Sequence, residues 1–121
     1  MAKESFVQNR LKSVVYALRG AWILVRTESS IKIQVVIAFV VILAGWYCEI
    51  SATEWILQLL AIGLVMGVEG VNTAIEKLSD FVQPNHDPRI GRIKDISAGA
   101  VMICSLIASA IGCIIYLPKI F

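Results

Sequence analysis

Three long apolar segments constrain this chain more than any other feature of its sequence. They cover about residues 31–48, 54–76 and 96–117, and each is close to the roughly 20 apolar residues that a helix needs to cross a bilayer. Apolar residues make up 58% of the 121-residue chain, which exceeds the share that a soluble domain usually carries. The sequence therefore predicts one all-α membrane domain, residues 1–121, with three transmembrane helices.

The segment before the first span, about residues 5–26, has the periodicity of a helix that lies along a membrane surface. Its apolar residues recur three and four positions apart, opposite a polar and basic face. They are Leu11, Val14, Val15, Leu18, Trp22 and Val25. A basic helix with a tryptophan is typical of the membrane–water interface. The alternative, a helix packed on a soluble core, is disfavoured because the chain has no such core.

The basic residues indicate the orientation of the chain in the membrane. They are concentrated before the first span and between the second and third spans, whereas the connector at residues 49–54 has none. The positive-inside rule then predicts that the N-terminal helix and the second connector are cytoplasmic. The net charge of +2 is too small to indicate a nucleic-acid partner.

A stripe of polar residues in the second span is the strongest functional signal. Glu69, Asn72, Glu76 and Asp80 are spaced so that, at about 100° per residue, they lie within about 80° of one another on a helix. An acid at the bilayer centre costs roughly 2.5–3.5 kcal/mol. Such a stripe can hold helices together, and an asparagine alone would serve for that. The acids instead indicate cation binding, and their oxygens suit Mg²⁺ that arrives with a nucleotide.

A second signal is Lys94-Asp95, where the third apolar segment begins. If the helix starts there, Lys94 and the free backbone N–H groups form a phosphate site, and Asp95 is a plausible N-cap. As an isolated residue, Lys94 is also explained as a positive-inside anchor.

Two classes of function account for these residues. A site with carboxylates and a lysine can position a phosphoryl donor at the membrane surface and activate a hydroxyl group within it. Intramembrane carboxylates also fit a non-enzymatic proton-relay or scaffold subunit. Dependence on Mg-ATP separates the two classes, because a relay has no use for Lys94 or a nucleotide.

The chain resembles the prokaryotic diacylglycerol kinase family, which includes the undecaprenol kinases. The resemblance rests on Val-Glu-Gly-Val-Asn-Thr-Ala-Ile-Glu at residues 68–76, on Asp80, and on Lys-Asp-Ile-Ser-Ala-Gly-Ala at residues 94–100. It extends to Arg10, Tyr16, Arg19-Gly20 and Thr27-Glu28. Nearly the whole chain is therefore covered.

The resemblance implies a homotrimer in the bacterial cytoplasmic (inner) membrane, with active sites at subunit interfaces on the cytoplasmic side. It implies that Glu69 is the catalytic base, which takes the proton from the lipid's primary hydroxyl group. Glu28 and Glu76 match the ligands of the Mg²⁺ that accompanies ATP, and Lys94 matches a phosphate contact. Asn72 and Asp80 belong to the same polar cluster.

The resemblance also implies a set of nucleotide contacts. They are Arg10, Tyr16, Glu28, Glu76, Asn85, His86, Asp87, Lys94 and Asp95. The connector departs from the usual Pro-Glu-Tyr-His-Pro and reads Pro-Asn-His-Asp-Pro at residues 84–88, so contacts to ATP from this stretch stay open. Arg10 matches some members in register and is offset by one residue in others.

The resemblance favours undecaprenol over diacylglycerol as the lipid acceptor. The segments that favour it are Arg10-Leu11-Lys12-Ser13, Arg26-Thr27-Glu28, Ala98-Gly99-Ala100 and Leu117-Pro118-Lys119. Diacylglycerol kinases tend to carry serine where Ala98 stands. A diacylglycerol kinase, which makes phosphatidic acid, is the second choice.

Overall fold

The computed structural model describes Lys3 and residues 5–121, and this part of the chain forms four α-helices. They are α1 (Phe6–Thr27), α2 (Ser29–Tyr47), α3 (Ala52–Val82) and α4 (Pro88–Ile120). The all-α prediction is confirmed, with one helix before three long apolar ones. Helices α2, α3 and α4 are each long and apolar enough to cross a membrane.

Helix α1 begins at a capping box and runs almost directly into α2. The Ser5 side chain accepts a hydrogen bond from the backbone of Gln8, whose side chain in turn accepts one from the Ser5 backbone. Both bonds satisfy N–H groups that a helix start leaves free. Helix α1 ends at Thr27, and Glu28 is the one residue between it and α2. Placement of α1 along the membrane interface stays a prediction.

Helices α3 and α4 are longer than a bilayer requires. The 31 residues of α3 extend over roughly 46 Å at about 1.5 Å per residue, against a hydrocarbon core of about 30 Å. The 33-residue α4 is longer still. The predicted spans 54–76 and 96–117 therefore lie inside longer helices, whose adjoining ends reach past the apolar segments and carry the polar residues of interest.

The burial pattern is the reverse of that in a soluble protein. The buried apolar side chains are Ile31, Ile50 and Ile115, and the buried polar ones are Gln58, Glu69, Asn72, Thr73, Ser79 and Ser97. Large apolar side chains are exposed along all four helices. Helix α3 carries most of the buried polar residues because it packs against both α2 and α4. Apolar exterior and polar interior are what a lipid solvent favours.

Hydrogen bonds join the three long helices at the end of the bundle that carries the α2–α3 turn. The Tyr116 hydroxyl group lies 2.5 Å from Oε1 of Gln58 and 2.9 Å from the Val41 carbonyl oxygen. The Gln58 Nε2 donates to the same carbonyl at 3.2 Å. Beside them, Lys119 pairs with Glu54 at 2.9 Å. Because these groups come from α2, α3 and α4, they set the relative positions of the helices.

Gly45 allows α2 to approach α3 closely at this turn. A Cβ atom added there would lie 2.8 Å from the Trp55 ring and 3.1 Å from Ile50. We expect Gly45→Ala to lower the free energy of unfolding by about 1–3 kcal/mol, because a rigid ring must move to admit the methyl group. Unfolding by SDS in mixed micelles measures this. The control is Gly63→Ala, where an added Cβ meets nothing within 4 Å. Equal losses in both variants would contradict the expectation.

The start of α4 differs from the sequence prediction. The helix begins at Pro88, and the Asp87 side chain caps it by accepting a hydrogen bond from the Arg89 N–H at 2.9 Å. Lys94 and Asp95 therefore lie inside the helix, and the prediction of a helix N-terminus with Asp95 as its cap is wrong. An aspartate followed by proline is a strong helix start. It precedes the apolar segment by two turns, so hydropathy did not indicate it.

Candidate functional site

The candidate site lies where α3 and α4 approach their common connector, beside the junction of α1 and α2. Glu69 and Asn72 are buried in α3, with 8% and 7% of their surface exposed. Glu76 is half-buried one turn further on, and Asn72 Nδ2 donates to its Oε1 at 3.2 Å. This bond orients the Glu76 carboxylate. Oδ1 of Asn72 is buried and has no hydrogen-bond partner among the described residues, so it remains available to a donor or a cation.

Asp80 forms an ion pair with Lys94. The Lys94 Nζ lies 2.5 Å from Oδ1 of Asp80, and the pair joins α3 to α4. Sequence spacing assigned Asp80 to the stripe on α3 but did not indicate Lys94 as its partner. Because Lys94 is not at a helix N-terminus, no free backbone N–H groups accompany it. A phosphate contact through Lys94 would depend on the ammonium group alone and would compete with Asp80.

Glu28 approaches α3 from the α1–α2 junction. It occupies the N-cap position of α2 in an extended conformation, but its side chain makes no capping hydrogen bond. The carboxylate lies instead 3.5 Å from Nζ of Lys77. Leu24, one turn earlier, packs close to Gly70, where an added Cβ would meet Leu24 at 3.0 Å. Sequence reasoning reached Glu28 only through the family resemblance and missed Lys77, for which spacing carries no signal.

Asp87 in the connector is held by the start of α4. Arg89 donates to both carboxylate oxygens, at 3.2 and 2.9 Å from its side chain. The Arg89 side chain, together with its backbone N–H, lowers the pKa of Asp87. A nucleotide contact through Asp87 would have to displace Arg89. Asn85 donates its backbone N–H to Gln83 at 3.2 Å, and His86 is exposed. Nucleotide contacts from these residues stay predictions.

Three candidate nucleotide contacts have no hydrogen bond or ion pair to this cluster within the described part of the chain. Arg10 stacks over the Phe6 ring, and Tyr16 carries the Arg19 guanidinium over its own ring, both at 5.8 Å within α1. Asp95 is exposed on α4. Among the described residues, no hydrogen bond or ion pair joins any of the three to the cluster on α3. One chain therefore assembles part of the predicted set.

The side chains near α3 suit a hard cation. Mg²⁺ prefers carboxylate and amide oxygens and is usually held by one or two carboxylates together with substrate phosphates. Glu28, Glu76 and the Oδ1 of Asn72, which has no partner among the described residues, carry oxygens of this kind. Within the described ranges, no group of three or more His, Cys, Asp or Glu side chains is arranged to hold a metal alone. A cation here would need oxygens from a bound phosphate group.

Comparison with known proteins reveals extensive similarity. The family described as prokaryotic diacylglycerol kinase matches residues 15–116. An undecaprenol kinase from Bacillus subtilis is 38% identical over 109 residues, which are 90% of this chain and 89% of that protein. A diacylglycerol kinase from Escherichia coli K12 is 30% identical over 98 residues, 81% of this chain and 78% of that protein. One from Helicobacter pylori is 33% identical over 86 residues, which are 71% and 65% of the two chains.

Proposed function

The chain belongs to the prokaryotic diacylglycerol kinase family, and on that premise we propose that it transfers the γ-phosphate of ATP, with Mg²⁺, to the primary hydroxyl group of a membrane lipid. It is a multi-pass membrane protein and a phosphotransferase with an alcohol acceptor. The observation that carries the proposal is the buried Glu69, two turns from Glu76 on one side of α3. Burying an acid in a membrane helix costs free energy, so such acids usually mark a functional site.

Glu69 acts as the general base in this proposal. As the lipid oxygen forms its bond to the γ-phosphorus, the carboxylate accepts the hydroxyl proton, and the bond between that phosphorus and the β,γ-bridging oxygen breaks to release ADP. Lys94 leaves Asp80 to contact the phosphate oxygens. Glu76, oriented by Asn72, and Glu28 would hold the Mg²⁺. When bound, Mg²⁺ neutralises negative charge that develops on the phosphate oxygens.

An apolar groove supports a lipid acceptor. It has a volume of about 450 Å³, lies between α2, α3 and α4, and is lined mainly by apolar side chains. Met66, one of its lining residues, precedes Glu69 by three positions on α3. Residues at this spacing lie on the same side of a helix. A lipid chain in the groove would therefore point its hydroxyl end toward Glu69.

Undecaprenol is the acceptor that we favour, and the product would be undecaprenyl phosphate. The support is the higher identity to the undecaprenol kinase, 38%, than to the Escherichia coli diacylglycerol kinase, 30%. Diacylglycerol is the alternative acceptor. A groove with apolar walls contributes little to this choice, because both lipids present hydrocarbon to it.

We place the site on the cytoplasmic face of the bacterial inner membrane and propose a homotrimer. The basic residues around the connector support this orientation. Among the described residues, Arg10, Tyr16 and Asp95 make no hydrogen bond or ion pair to the cluster, which agrees with a site that a neighbouring subunit completes.

The test is phosphate transfer by the purified chain in lipid nanodiscs. With γ-labelled ATP and Mg²⁺, we expect label in the added lipid alcohol, and more in undecaprenol than in diacylglycerol when both are supplied at equal concentration. Omission of Mg²⁺ should abolish the transfer. A protein that transfers no label to either lipid and does not bind the nucleotide would contradict the proposal and favour a relay or scaffold subunit.

A further inference from the structure

Lys77 faces one of the two carboxylates proposed to bind Mg²⁺. Its Nζ lies 3.5 Å from Oε1 of Glu28, and it follows Glu76, the other proposed ligand, directly in sequence. From this pairing we infer that Lys77 is the internal counter-ion of Glu28 in the metal-free site and is displaced when the divalent cation binds. The inference rests on the proposed function, since it assigns Lys77 a part in setting the metal affinity of that same site.

The two partners differ in their freedom to move. The Glu28 side chain is 25% exposed, whereas that of Lys77 is 67% exposed. The Glu28 backbone is also fixed, because Glu28 is the single residue between α1 and α2, its N–H donates to the Leu24 carbonyl and its carbonyl accepts from the Lys32 N–H. Lys77 projects from α3 on a flexible stem. When the pair separates, Lys77 is therefore the member that turns toward solvent.

The exchange follows from the charges. Without a metal, the Lys77 ammonium group neutralises the Glu28 carboxylate. With a divalent cation at Glu28, the ammonium group would face a like charge at short range, which disfavours the old contact. Metal binding must therefore break the ion pair. The free energy of the pair then reduces the net free energy of metal binding. Exposed ion pairs are weak, so the free energy lost when the pair breaks is small. The binding of a divalent ion together with a nucleotide can exceed this loss.

Lys77 differs in this respect from Lys94. Lys94 is paired with an acid, Asp80, that is not a proposed metal ligand, and its expected partner is the phosphate. Removing Lys94 would therefore weaken nucleotide binding. Removing Lys77 would strengthen metal binding, so the two lysines predict changes of opposite sign.

The experiment measures Mn²⁺ binding by electron paramagnetic resonance on the full chain in nanodiscs, with and without a β,γ-imido analogue of ATP. We expect Lys77→Met to lower the dissociation constant for Mn²⁺ by about two- to fivefold, the scale of an exposed ion pair, and Lys77→Gln to do the same. Lys77→Arg retains the charge and should resemble the unaltered protein. In the background of Glu28→Gln, the effect of Lys77→Met should vanish, because the pair is already lost.

Lys32→Met is the matched control. Lys32 is exposed in the first turn of α2, four residues after Glu28, and no ion pair to it is found among the described residues. The Lys32→Met substitution removes the same charge from the same region. We expect it to change the dissociation constant for Mn²⁺ by less than half as much as Lys77→Met does. Equal effects would show general electrostatics and overturn the inference.

Other outcomes separate the inference from the proposed function. The inference alone fails if Lys77→Met binds Mn²⁺ no more tightly than the unaltered protein, provided that two other results hold. The unaltered protein must transfer phosphate, and Glu28→Gln must weaken Mn²⁺ binding. If Lys77→Met instead weakens binding of the analogue, Lys77 is a phosphate contact and the inference is wrong. If the unaltered protein neither binds Mn²⁺ with the analogue nor transfers phosphate, the proposed function fails and the inference with it.

Discussion

Replacing Glu69 by glutamine is expected to lower the turnover of phosphate transfer by about 10²–10⁴-fold, the usual contribution of a general base. Glutamine keeps the shape of the side chain but does not accept the hydroxyl proton. Since Glu69 is buried and lies outside the proposed metal ligands, binding of Mg-ATP should change little. Initial rates with γ-labelled ATP and equilibrium binding of the imido analogue measure the two properties separately.

Glu54→Gln is the control for this substitution. It makes the same change on the same helix, but at the far end of the bundle, where Glu54 pairs with Lys119. Turnover in this variant should stay close to that of the unaltered protein. Full turnover in Glu69→Gln would show that another group is the base. A loss of analogue binding equal to the loss of turnover would assign Glu69 to the nucleotide site instead.

Glu76→Gln is expected to raise the dissociation constant for Mg-ATP by at least about 10–100-fold, since even the second-shell partners of metal ligands contribute that much. Glutamine retains an oxygen that can accept the hydrogen bond from Asn72, so the local structure should persist. What the substitution removes is the negative charge of the Glu76 carboxylate, which is proposed to face the cation. Calorimetric titration with the imido analogue at several Mg²⁺ concentrations measures the change.

The effect of Glu76→Gln should depend on the metal. Higher Mg²⁺ should partly restore nucleotide binding, whereas it should not restore turnover in Glu69→Gln. Asp80→Asn is a useful comparison, because it removes a nearby acid that pairs with Lys94 and is not a proposed ligand. An affinity for Mg-ATP in Glu76→Gln equal to that of the unaltered protein would contradict its assignment as a ligand.

The position of the site follows from the lengths of two helices. Because α3 and α4 continue past the apolar segments, the carboxylates of α3 extend from the depth of Glu69 to the exposed Asp80. A phosphate donor is soluble and a lipid alcohol is not, so a reaction between them needs polar groups across this boundary. In the proposed reaction, the stripe would provide a buried end for the lipid hydroxyl group and an open end for the nucleotide.

The helical content and the number of possible spans were predictable from sequence, because a bilayer imposes a length and an apolar composition on any helix that crosses it. The alignment of Asn72 with Glu76 was also predictable, because the two residues are four apart in one helix. The first inference depends on the apolar composition of each segment, and the second depends on the spacing of two residues in one helix. Both can be read directly from the order of residues.

The partners of the charged side chains depended on tertiary structure. Lys94 pairs with Asp80 across two helices, and Glu28 reaches Lys77 from the α1–α2 junction. Such contacts depend on how helices turn about their axes and on where each helix begins, and apolar periodicity defines neither of these. The Asp87 cap that starts α4 two turns early is a local contact to Arg89, and an Asp-Pro pair in the sequence can indicate such a start where hydropathy does not. The order of residues is therefore sufficient to indicate which segments can cross a membrane, whereas the packing of the helices defines which charged side chains face one another.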